Sequence, residues 1–96
     1  MKHTHQIKSC SAPHRQLAEE IGDLYYDSLA DFLRLMAEKM NRDAQADAGR
    51  GRHKLATQLA ACAEHLQQAA GHINVAWKIC APHMAIDQEK TGAMPE

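Results

Sequence analysis

Large ring and branched side chains are scarce in this 96-residue chain. Aromatic residues make up 4% of it, as Tyr25, Tyr26, Phe32 and Trp77, and valine occurs once, at Val75. Sheets favour β-branched and aromatic residues, so the scarcity argues against a sheet as the organising element. An excess of charge of either sign is also missing: 11 basic residues stand against 12 acidic ones, for a net charge of −1. Nothing in that balance draws the chain to nucleic acid or to an anionic membrane surface. No apolar run reaches the roughly 18 residues that a membrane span needs. The first residues, "MKHTHQIKSCSAPH", carry no apolar core of the kind that marks a secretory signal. Cysteine occurs three times, at Cys10, Cys62 and Cys80. An odd number fits a reducing compartment better than a disulfide framework, and the cytoplasm is the expected location.

Alanine fills the space that the bulky residues leave. Hydrophobic residues are 45% of the chain, and 17 residues are alanine. Cores rich in Ala, Leu and Met suit closely packed helices, and the expected class is all-α. Residues 1–12 are polar, His-rich and non-periodic, and read as a flexible tail. Helix one is expected over about 13–46, with Ser11 as cap and Pro13 in the first turn. The glycines of "DAGRGRH" break it, and the turn is expected at 47–51. Helix two is expected over about 52–81, where Pro82 removes a backbone donor. A short last turn at 83–90 and a frayed tail at 91–96 complete the expected layout, with residues 13–90 forming one helical-hairpin domain. There is no internal repeat.

Advancing about 100° per residue places Leu17, Ile21, Leu24, Ser28, Phe32 and Leu35 on one side of helix one. Tyr25, Leu29, Leu33, Met36 and Met40 widen that side to roughly half the cylinder, whereas one helical neighbour covers about 100°. Glu20, Asp23, Asp27, Asp31, Arg34 and Glu38 occupy the other side. On helix two, Leu55, Leu59, Cys62, Leu66, Ala69, Ile73, Ala76 and Cys80 keep a seven-residue repeat, the pattern of knobs-into-holes packing at a shallow angle. A second line, Ala56, Ala63, Ala70 and Trp77, runs beside it and would let a neighbouring backbone come close.

Helices of some 30 residues are about 45 Å long, whereas a globule of this chain length is only about 30 Å across. Two such rods joined by a short turn leave one flank bare, and a bare apolar flank of that length is an association site. The expected closure is a two-fold homodimer, two antiparallel hairpins forming a four-helix bundle. Its interface would comprise Leu55, Leu59, Cys62, Leu66, Ala69, Ile73 and Trp77 of helix two with Phe32 and Met36 of helix one. Leu17, Ile21, Leu24 and Leu35 join these as the expected core.

Three Cys/His pairs carry the best metal-ligand spacing: Cys10 with His14, Cys62 with His65, and Cys80 with His83. Three- or four-residue spacing on a helix puts two side chains on one face, close enough to share zinc or another transition metal. Each pair supplies two ligands, half of a structural zinc site. Cys62 and Cys80 are about 27 Å apart along one helix, so only a second chain could complete a set of four. On an apolar seam the simpler reading of these cysteines is as small hydrophobic residues. His65 and His72 are about 10.5 Å apart along the helix and cannot chelate one ion.

Other constellations fall short of a chemistry. A carboxylate-bridged di-metal site needs inward Glu residues and a Glu-x-x-His motif, but Glu64 adjoins His65 and points away from the seam. "GRGRHK" gathers Arg50, Arg52, His53 and Lys54 at a turn without the spacing of a phosphate loop. The "MKH" start offers the donor set of a square-planar copper or nickel site, for which a chance histidine is the simpler explanation. No nucleophile, base and orienting group can be assembled from Cys10, Cys62, Cys80, Ser9, Ser11 and Ser28. The sequence therefore predicts a small non-enzymatic interaction or regulatory module. It would engage itself and an unidentified protein partner through the acidic face Asp23, Asp27 and Asp31 or the basic turn. A metal-binding or redox-responsive bundle is the alternative.

Overall fold

A computed structural model describes residues 3–84. Among them there is no strand. Helix α1 spans His14–Gly22, α2 spans Tyr26–Gly49, and α3 spans His53–Cys80, followed by a 3-10 turn at Ala81–His83. The expected last turn at 83–90 and the tail at 91–96 lie, beyond Met84, outside the described residues, as do Met1 and Lys2 of the "MKH" start.

Where one helix over 13–46 is expected, there are two. Gly22 ends α1: the Asp23 amide still donates to the Glu19 and Glu20 carbonyls, and the Leu24 amide to Ile21. Tyr25 is then extended, with φ −51° and ψ 144°, before α2 begins. Glycine and aspartate are weak helix formers, and their pairing at 22–23 is the local cause of the break. α1 packs along neither long helix. Its Leu17 and Ile21 are half-buried, and Leu24 is exposed.

α2 and α3 are joined by a three-residue turn, slightly later than the expected 47–51. The Arg52 amide donates to the Asp47 carbonyl at 2.8 Å and the Gly51 amide to the Ala48 carbonyl at 3.0 Å. This is the paired closure of a Schellman cap, which requires a left-handed residue after the helix. Gly51 supplies it, with φ +81°. A Cβ added at Gly51 would meet nothing within 4 Å, so Gly51→Ala acts through the backbone alone. It is expected to lower stability by about 1–2 kcal/mol, measurable as a reduced midpoint in thermal or urea denaturation.

The hairpin closes on alanine. Ala30, Ala37 and Ala44 of α2 and Ala56, Ala63 and Ala70 of α3 are buried, none more than 8% exposed. Their numbering is symmetric about Arg50: Ala44 and Ala56 are each 6 residues away, Ala37 and Ala63 13, Ala30 and Ala70 20. Folding the chain at its turn therefore sets the two alanine lines opposite one another. Methyl-sized side chains at a seven-residue period let two antiparallel backbones approach closely along their length.

A consequence is that no large side chain among the described residues is fully buried. The molecule is elongated, with a longest dimension of 54 Å and a radius of gyration of 16.9 Å, against about 12.5 Å for a compact chain of this length.

Candidate functional site: an apolar face and the cleft at its end

With each alanine line taken as the inward direction, helical geometry places the large apolar residues. On α2, Leu33, Met40, Leu29, Met36 and Phe32 lie roughly 40–140° to one side of the line. On α3, Leu59, Leu66, Ile73, Leu55, Cys62 and Ala69 lie roughly 40–120° to the same rotational side. In an antiparallel pair, equal rotation on each helix leads to the same face of the hairpin. Both apolar stripes therefore share one face, and Asp27, Asp31, Glu38 and Glu64 lie on the opposite one.

Every expected interface residue remains open to some degree. Leu55 is 47% exposed, Met36 40% and Phe32 37%; Cys62 is exposed, and Leu59, Leu66, Ala69, Ile73 and Trp77 are half-buried. The leucine seam of α3 is thus not what holds the hairpin together. The alanine line beside it does that, and the seam flanks the contact. Of the expected core, Leu35 is 54% exposed.

At the turn the apolar face gives way to two buried carboxylates. Asp47 is 2% exposed, and its Oδ1 accepts from Arg52 Nη1 at 3.2 Å, with Arg50 Nη1 at 4.0 Å. Two cations of the basic turn are therefore committed to closing the hairpin. Asp43 Oδ2 accepts from Lys39 Nζ at 2.6 Å. That hydrogen bond holds the Asp43 carboxyl below its ordinary value of 3.8, against the opposing effect of burial, with help from the charges of Lys39, His3 and Arg42. A carboxylate whose pKa is depressed by folding stabilises the fold above its unfolded value and loses that contribution as pH falls through the folded one. Removing the cation in Lys39→Met is expected to move the Asp43 titration, followed by carboxyl NMR shifts, up toward 3.8.

The other end of the hairpin carries a cleft of about 230 Å³ lined by Gly22–Tyr26, Trp77, Cys80 and Met84. The break between α1 and α2 forms one wall and the last turn of α3 the other. Tyr25 and Trp77 stack with ring centroids 6.0 Å apart and planes inclined by 29°. The register that pairs the alanines about Arg50 sets Tyr25 opposite Val75, two residues from Trp77, and so brings the two rings within reach of each other.

The metal-ligand candidates lie apart. Cys62 and His65 are exposed on mid-α3, Cys80 is buried with its thiol 3.7 Å from the Trp77 carbonyl, and His83 is half-buried in the 3-10 turn. Among the described residues, no three His, Cys, Asp or Glu side chains gather into a group that could hold an ion. The acidic run is also divided: Asp27 and Asp31 stay exposed on α2, but Asp23 lies in the break and lines the cleft. No described helix is long and apolar enough to cross a membrane.

These elements define an all-α protein built on an alanine-zipped helical hairpin with an apolar face to which both helices contribute, while Leu35, Val75 and Ile79 are exposed outside it. The chain matches no known protein family, no curated protein and no solved structure.

Proposed function

We propose that this chain is a small non-enzymatic interaction module that works as a homodimer, two hairpins meeting through their apolar faces to make a four-helix bundle. One observation carries the reading. The only extended helix–helix contact among the described elements is sealed by alanines, and Leu55, Phe32, Met36 and their neighbours form a contiguous apolar stripe beside it. Stable domains bury such a stripe under a second layer. An identical hairpin brings a stripe of equal length and equal hydrophobicity, and a two-fold axis satisfies both at once. The polar faces of such a bundle, with Asp27 and Asp31, would then be outermost and free for a further protein. Sedimentation velocity at micromolar concentration tests the dimer. A species of twice 10.7 kDa is expected, and a monomer at every concentration would remove the reading.

A further inference from the structure

Three of the four aromatic residues of the chain, Tyr25, Tyr26 and Trp77, line the cleft at the open end of the hairpin. Tyr25 and Trp77 are stacked on one another there, and Tyr26 stands beside them in the lining. Among the described residues, the cleft lining has one charged side chain, Asp23, which is exposed, and no basic one. The remaining walls are Gly22, Leu24, Cys80 and Met84. A volume of about 230 Å³ is below that of drug-sized ligand sites, about 300–1,000 Å³, and suits one compact group.

The chemistry of the lining narrows that group. An anion would meet the Asp23 carboxylate with no cation among the described lining residues to offset it. A transition metal would find too few donors among the described residues, which offer one carboxylate, one thiol already directed at the Trp77 carbonyl, and one thioether. A strongly hydrated ammonium would lose its water against aromatic walls. A methylated ammonium differs: its methyl groups carry the positive charge, are weakly hydrated, and pack on the negative faces of indole and phenol rings. A carboxylate at the rim balances the charge. We propose that this cleft binds a small methylated ammonium group, as carried by a choline-like headgroup or a methylated lysine side chain, with Tyr25, Tyr26 and Trp77 as walls and Asp23 as counter-ion. This goes beyond the interaction module proposed above and does not depend on the dimer.

Trp77 is the only tryptophan of the chain, so its fluorescence reports on the cleft directly. The test titrates the full chain with choline and, separately, with 3,3-dimethylbutan-1-ol, the neutral isostere in which carbon replaces nitrogen. The expected result is a saturable change in Trp77 emission at millimolar choline, with binding weaker by about tenfold for the isostere. Asp23→Asn, an exposed and nearly isosteric change, should weaken choline by a similar factor while leaving the isostere unaffected. Tyr25→Leu should weaken choline, with helical circular dichroism retained as the check on folding. A trimethyl-lysine peptide against its unmethylated form then separates a side-chain ligand from a headgroup. Equal binding of choline and its isostere would overturn the proposal in favour of a merely apolar cleft. Absence of any saturable change at millimolar choline would overturn it outright. Sedimentation of the same samples reports the dimer separately, so the two readings fail independently.

Discussion

Ala63→Leu is expected to destabilise the protein by about 2–3 kcal/mol although it adds apolar surface. Ala63 is 1% exposed at the middle of the alanine line, opposite Ala37 by the symmetry of the hairpin. The extra carbons have no cavity to enter, so they must push α2 and α3 apart and loosen the contacts above and below. In a chain of this size the thermal midpoint should fall by about 8–24 °C, at about 4–8 °C per kcal/mol. Ala61→Leu is the control. Ala61 is exposed on the outer side of the same helix, leucine is nearly as good a helix former as alanine, and the expected change is within about 0.5 kcal/mol. A neutral or stabilising Ala63→Leu would mean that the helices do not meet along the alanines.

Leu66→Glu is expected to weaken self-association by about 30-fold or more, the loss typical of a residue central to an interface. Leu66 is half-buried, flanking the alanine line on the apolar face, and a carboxylate there would lose its water when two faces meet. Glutamate is a good helix former, so the hairpin itself should persist. Gln68→Glu adds the same charge two residues on, at an exposed outer position, and should leave the association unchanged. Sedimentation equilibrium on the two variants reads the difference. Equal effects would place the contact elsewhere.

The sequence and the structure agree on helices, on a turn near the glycines and on the alanine line Ala56, Ala63 and Ala70 as a close-approach surface. Which of the two seams closes the hairpin is not legible in the sequence. Leu55, Leu59, Leu66 and Ile73 dominate the periodic signal because they are large. The matching line Ala30, Ala37 and Ala44 is hidden among Leu29, Leu33 and Met36, since a methyl contributes little to any hydrophobic pattern. Its signal was positional, in the mirror spacing of six alanines about Arg50. The break at Gly22–Tyr25 escaped for another reason. Leu17, Ile21 and Leu24 stay in helical phase with Ser28 and Phe32 across it, so periodicity runs on where the backbone does not. Only the Gly22–Asp23 pair marked it. The cleft was not legible at all as a site, because Tyr25 and Trp77 are 52 residues apart and meet only once the turn has fixed the register.

The proposed function depends on the apolar face being covered by a second copy of the chain, and Cys62 measures it. Cys62 sits exposed on that face, whereas Cys80 is buried within the chain and Cys10 lies in the N-terminal segment, half-buried. Alkylation of the folded protein, read by peptide mass spectrometry over a dilution series, reports each thiol separately. Labelling of Cys62 should be slow at concentrations where the mass doubles and should accelerate on dilution, while Cys10 and Cys80 keep concentration-independent rates. A Cys62 that labels equally fast at every concentration, in a protein that sediments as a dimer, would show that the copies meet through some other surface.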